Sequence, residues 1–168
     1  QNMTMPEMFR LAVASGRGIG KSALVSWIIL WMLSTRLGAT IIVTANTEQQ
    51  LRTRTWAELG KWLTLSIHSH WFSKTATAIK PAQWFEKSLI EDLKIDTGYY
   101  YAQAQLWSEE NPDAFAGIHS SYGVCLIMDE ASGIPAPIYS VSEGFFSEPT
   151  KNRYWFTFSN PRRNSGPF

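Results

Sequence analysis

Ser15-Gly16-Arg17-Gly18-Ile19-Gly20-Lys21-Ser22 is the stretch whose reading decides the fold. It ends in the Gly-Lys-Ser of a phosphate-binding loop, with Ser15 where the common pattern opens on glycine. Gly16 and Gly18 supply the backbone freedom instead, letting successive N–H groups turn inward as a nest for phosphate oxygens. Phe9 to Ala14 (FRLAVA) reads as a strand feeding the loop. A helix is expected from about Lys21 to Thr35, and Gly38 is expected to end it. Its apolar residues recur almost all round, which predicts burial in a sheet crossover. The helix N-terminus adds partial positive charge where phosphate would sit. Strand, loop and helix in that order are the context the motif requires. A plain glycine-rich turn would not explain a lysine and a serine in the first turn of an otherwise apolar helix.

Moving outward, Ala39 to Thr44 (ATIIVT) is a β-branched run of the kind found in central parallel strands. Glu48 to Leu63 carries Leu51, Trp56, Leu59, Trp62 and Leu63 near helical spacing, with Thr47 as its cap. Strand, helix, strand, helix predicts an α/β fold on a parallel sheet. In the middle, Leu65 to Phe72 reads as a strand, Pro81 to Lys94 as a helix or an antiparallel excursion, and Tyr99 to Leu106 as a strand. Ser108 caps a short helix over Asn111 to Ala116, and Ser140 to Phe146 reads as helical.

Composition bounds the rest. The chain has 168 residues, 45% hydrophobic and 17% charged, which suits one globular domain and excludes a disordered tail. One cysteine excludes an internal disulfide and, with three histidines, argues against structural zinc. The uncharged run from Ser22 to Thr35 is 14 residues, short of the roughly 20 that span a bilayer. Neither end reads as a natural terminus, so the chain is expected to be a single-domain fragment, 1–168. Net charge is +1, but residues 1–80 carry nine basic and three acidic groups, and 81–148 carry two and eleven. That balance is too weak for a deep nucleic-acid groove, so any DNA contact is expected to be local or left mostly to parts outside the fragment.

Two further strand ends carry chemistry. Val124 to Met128 is an apolar strand that runs into Asp129-Glu130. Buried acids cost several kcal/mol unless paired or bound to metal. Asp129 and the Ser22 hydroxyl are therefore expected to hold Mg2+, with Glu130 polarising the attacking water. Lys21 reaches the β and γ phosphates, and Arg17, inside the loop, meets the γ-phosphate or a residue that senses it. Arg153 to Phe158 is a last strand, leading to Ser159-Asn160-Pro161. By analogy with nucleotidases that carry such an acidic pair, where the last strand usually lies between the two motif strands, Ser159 and Asn160 would sit beside the γ-phosphate, sense it and move Arg162, Arg163 and Asn164. No Asn-Lys-x-Asp guanine-reading element occurs, which favours ATP. A clasp for the base is expected before residue 1 or within Met3 to Phe9.

Taken in order, these segments resemble the ATPase domain of a tailed-phage or prophage terminase large subunit, a DNA-packaging motor. Arg17 to Ser22 resembles its phosphate loop, and Thr44-Ala45-Asn46-Thr47-Glu48-Gln49-Gln50-Leu51-Arg52 the segment after its second strand. Phe115-Ala116-Gly117-Ile118-His119 resembles the run before its acidic strand. Met128 to Pro135 resembles the acidic motif, and Ser159 to Gly166 the coupling motif. The resemblance implies a P-loop NTPase of ASCE/RecA-like type, a central, mostly parallel sheet flanked by helices. With it go ATP bound by residues 15–22 and Asn160, Mg2+ held by Ser22 and Asp129, and Glu130, Lys21 and Arg17 as the catalytic residues. Double-stranded DNA, the portal protein and the small terminase subunit would be its partners, in a ring within the bacterial host cytoplasm, with no membrane role. A nuclease domain would follow Phe168. An arginine finger acting in trans is also implied, with Arg36, Arg52, Arg54 and Arg153 as candidates. A related helicase core and a non-hydrolysing nucleotide-binding module are the rival readings. Trp71, Trp84, Trp107 and Tyr99 to Tyr101 are expected in the core or in subunit contacts rather than stacked on bases.

Overall fold

A computed structural model of the chain describes residues 8–115, 117, 118, 120–160 and 166–168. Strand β1 (Phe9–Ala14) leads through the glycine loop into helix α1 (Lys21–Thr35), then β2 (Thr40–Ala45). A short α2 (Glu48–Gln50), a π-helical turn (Leu51–Trp56) and α3 (Ala57–Leu65) follow without interruption. A hairpin of β3 (Phe72–Lys74) and β4 (Ala78–Pro81) precedes α4 (Gln83–Glu91) and β5 (Tyr101–Ala104). After a 3-10 turn at Pro112–Phe115 come β6 (Val124–Asp129), α5 (Ala136–Ser142) and β7 (Arg153–Ser159).

The sheet order is β1-β7-β6-β2-β5-β4-β3. Pairings from β1 across to β5 are parallel, and those of β5 with β4 and β4 with β3 are antiparallel. The last strand in sequence therefore lies between the two that carry the phosphate loop and the acidic pair. All residues of β2 and β6 are buried because both faces of the sheet are covered. Their alternation sorts the core. Ile41, Val43, Cys125 and Ile127 meet α1 and α3 on one face. Ile42, Leu126 and Met128 meet Ile138, Phe145 and Phe146 on the other.

Several expectations change. Leu65 to Phe72 is not a strand. Ser69 N donates to Ser66 O and Trp71 N to His68 O, bending the chain and leaving Ile67 82% exposed. Lys74 and Ala78 then turn back as the β3–β4 hairpin, and Pro81 to Lys94 is mostly the helix α4. α1 is not buried all round. Val25, Ile29, Met32 and Leu33 face the sheet, while Trp27 is 49% and Trp31 40% exposed. Gly38 does not cap α1. The helix closes at Arg36, whose N–H donates to Met32 O, and Gly38 (φ +86°) makes the turn into β2. Thr47 does cap α2, accepting from Gln50 N at 3.2 Å. The aromatic residues divide. Tyr100 is buried, Trp107 Nε1 donates to Ala45 O, and Trp71 packs on Phe85, but Trp84 lies exposed and stacked on His70. Among the described residues no helix is long and apolar enough to cross a membrane.

Candidate active site at the strand ends

Parallel strands point their carboxyl ends the same way, so β1, β6 and β7 bring their last residues to one rim of the sheet. The turn after β1 is built by Gly18 (φ +74°) and Gly20 (φ +91°), conformations that side chains other than glycine rarely adopt. A Cβ at either position would meet nothing within 4 Å, so backbone conformation selects glycine there and the concave side stays open. Ser15 N donates to Ser159 O, which seats the loop against the end of β7.

A cavity of about 420 Å3 opens above this rim. Arg17, Lys21, Ser22, Asp129, Glu130 and Asn160 all line it, together with Gly18 and Gly20. Ser15 and Gly16 instead face the Lys21 ammonium through their carbonyls, at 3.3 and 2.5 Å. Ile19 is exposed and is not part of the lining. Lys21 Nζ also donates to Asn160 Oδ1 at 2.7 Å, so the loop and the end of β7 are joined through the cation. Ser159 Oγ donates to Ser132 Oγ and accepts from Ser132 N, tying β7 to the segment beyond the acidic pair. Arg162, Arg163, Asn164, His119 and Met3 to Glu7 lie outside the described residues.

Asp129, 6% exposed, ends β6. Burial holds its carboxyl above the usual carboxylate range. The Thr55 hydroxyl (2.7 Å) and the Glu130 N–H (3.0 Å), both donating to it, oppose that shift; the Glu130 charge adds to it, and Lys21 opposes it. Glu130 adopts a left-handed backbone (φ +54°, ψ +38°), unusual for a residue with a side chain.

The oxygen donors here suit a hard cation. Mg2+ takes one or two carboxylate or hydroxyl ligands and keeps several waters. Gln50 Oε1 at the cavity wall is a buried acceptor without a hydrogen-bond partner, which a cation-bound water would satisfy. The residues present therefore fit a hydrated magnesium.

Sequence reasoning missed Gln50, Thr55 and Glu58 as cavity residues. Arg54, one of the four candidates for a finger acting in trans, lines the cavity of its own chain. Arg52 pairs with Glu48 at 2.7 Å on the surface. Arg36 bonds Asn152 and lies over Trp31, and Arg153 opens β7, both at the opposite end of the sheet.

The sequence model of one family, the helicase domain of the RNA cytidine acetyltransferase NAT10/TcmA, matches residues 12–143, most of the chain, from the end of β1 through the acidic pair and beyond. The chain belongs to this family. The resemblance to terminase ATPase domains also stands. The "Probable terminase, large subunit" of Enterobacteria phage P7 is 30% identical over 165 residues, covering 94% of this chain and 30% of the phage protein. The chain thus spans about a third of that relative's length. A variant of the large terminase ATPase domain of Thermus phage P74-26 superposes with a TM-score of 0.59 at 18% identity, over 93% of this chain and 61% of that one. A large terminase from a thermophilic bacteriophage, in complex with ADP, gives 0.59 at 13% identity, over 90% of this chain and 34% of that one. The fold is that of a P-loop NTPase of the ASCE type, its mostly parallel sheet flanked by helices.

Proposed function

We propose that the chain is a Mg2+-dependent ATPase that drives double-stranded DNA translocation, the motor portion of a terminase large subunit. The observation that carries this reading is the shared cavity of Lys21, Ser22, Asp129 and Glu130, drawn from segments more than a hundred residues apart. ATP places its phosphates against the N–H groups of residues 16–22 and the start of α1. Lys21 exchanges its bonds to Gly16 and Asn160 for phosphate oxygens. Ser22 and Asp129 would hold Mg2+, which would supply neutralisation of the phosphate charge. Glu130 orients water and takes its proton as the oxygen attacks the γ phosphorus in line and ADP leaves with the bridging oxygen. Arg17 balances charge on the γ-phosphate side. Release of Lys21 frees Asn160, and the Ser159–Ser132 bonds carry that change from β7 to the segment after Glu130. The route to DNA, the portal and the small subunit starts from that segment, within a ring in the bacterial host cytoplasm.

A second reading, a helicase-like ATPase, is favoured by the family match to a helicase domain. A strand-displacement assay separates the two: a motor for intact duplex hydrolyses ATP on duplex without displacing a strand. The test of hydrolysis itself is Glu130→Gln. It is expected to leave binding of a fluorescent ATP analogue within about twofold and to lower phosphate release by at least about 10²-fold, within the range general acid–base groups contribute. Unchanged phosphate release would overturn the assignment.

A further inference from the structure

The π-helical turn Leu51–Trp56 interrupts what would otherwise be one long α-helix, and such turns are frequent at functional sites. Its effect is a change of register. In an α-helix, residues five apart diverge by about 140° around the axis. A turn with i→i+5 bonds stacks them on one face. Two such pairs are visible here. Leu51 and Trp56, 1% and 2% exposed, both enter the core against the sheet. Gln50 and Thr55 both line the cavity at the strand ends. With an α-helical turn, one member of each pair would face the wrong side. Arg52, Thr53 and Arg54, between the pairs, are exposed.

What the turn delivers is one hydroxyl. Thr55 is 1% exposed, and its Oγ1 donates to Asp129 Oδ2 at 2.7 Å in a buried contact. The other oxygen, Oδ1, accepts the N–H of Glu130 at 3.0 Å. These two donors fix the rotation of the carboxylate about its own axis. The Glu130 N–H is part of the same strand end and moves with it. Thr55 is anchored separately, on an element held by Leu51 and Trp56, with Trp56 Nε1 donating to Thr75 O at 3.0 Å. The hydroxyl therefore ties the acidic strand end to the helix that follows β2.

We propose that Thr55 is a positioning residue for the metal-binding step, holding the Asp129 carboxylate in the orientation that receives the cation, and that the π-turn exists to bring it there. This rests on the ATPase reading above. Outer-shell partners of metal ligands typically change metal affinity or activity ten- to a hundredfold when removed. Threonine's hydroxyl is the whole of the effect, so valine, of the same shape, removes it and serine restores it.

The test uses the full chain with Thr55→Val and Thr55→Ser. Mn2+ binding in the presence of a non-hydrolysable ATP analogue is followed by the loss of the free-Mn2+ electron paramagnetic resonance signal beyond that caused by the analogue alone. Thr55→Val is expected to weaken Mn2+ binding by about tenfold and Thr55→Ser to return it to within about twofold. A fluorescent ATP analogue in EDTA is expected to bind all three proteins equally, which a general loss of structure would not allow. In turnover, kcat falls in Thr55→Val and recovers in Thr55→Ser. Should Thr55→Val fail to fold, Thr55→Ala, which adds no bulk, carries the same expectation. Wild-type Mn2+ affinity in a folded valine or alanine variant would overturn the positioning role while leaving the ATPase reading intact. If the wild type itself takes up no Mn2+ with the analogue, the ATPase reading falls and this role falls with it.

Discussion

At the scale of single residues, burial acts on one charged group of the cavity. Asp129 is that group, since burial raises its carboxyl above the ordinary value of 3.8 despite two hydrogen bonds and Lys21. The sign follows from linkage. Between 3.8 and the raised value the folded state holds more protons than the unfolded state, so this group's contribution to stability falls as pH rises through that window. Above that window the raised carboxyl therefore lowers the stability of the metal-free protein. Asp129→Asn is expected to melt higher than wild type at pH 7, with the difference closing as pH falls towards 3.8. Thermal unfolding of both proteins without Mg2+ across that range checks it, and an asparagine variant that melts lower at pH 7 would contradict it. Lys21, Ser22, Asp129 and Glu130 could be picked out of the sequence because each stands where a regular element begins or ends. Thr55 and Gln50 could not, because neither type is conspicuous in a helix and what brings them to the cavity is a change of helical register.

At the scale of elements, the turns decide more than the strands. Gly38 joins α1 to β2 with φ +86°, and a Cβ there would lie 2.6 Å from the Tyr122 ring. The left-handed conformation costs an ordinary residue about 1–2 kcal/mol, and overpacking typically adds about 1–3 kcal/mol. Gly38→Ala is thus expected to lower stability by about 2 kcal/mol or more, read as a lower urea midpoint with an unchanged slope. The five-residue gap from Leu51 to Trp56 was visible in the sequence and marks the π-turn. A reading built on a period of 3.6 absorbs that gap as slight irregularity and sees one plain helix. The β3–β4 hairpin was hidden for another reason. Its strands are three and four residues long, too short for alternation to emerge, and the apolar run before it ends in an exposed Ile67.

At the scale of the whole molecule, one sheet serves two cores, and its central strands carry the load for both. Leu126 is fully buried in β6, three residues before Asp129, and packs on the face opposite α1. Leu126→Ala is expected to cost about 2–5 kcal/mol, the range for deleting a buried leucine. Urea unfolding measures it. A loss under about 1 kcal/mol would mean that this face is loosely packed. The charge asymmetry along the sequence does not separate in space as it does in order. The basic N-terminal half supplies Arg17, Lys21 and Arg54 to the same cavity that takes Asp129 and Glu130 from the acidic stretch.

The sequence by itself determined the α/β class, the parallel central strands and the glycine loop between β1 and α1, because these depend on local pattern: β-branched runs, glycine spacing and the step from strand to helix. It also carried the likeness to terminase ATPase domains, since ordered motifs survive where overall identity is low. Only the tertiary structure decided which distant groups meet. Insertion of β7 between β1 and β6 joins Asn160 to Lys21, and the π-turn sets Thr55 against Asp129 across 74 positions of chain. Contacts of that kind depend on strand order and helical register, which are properties of the packed sheet rather than of any one segment.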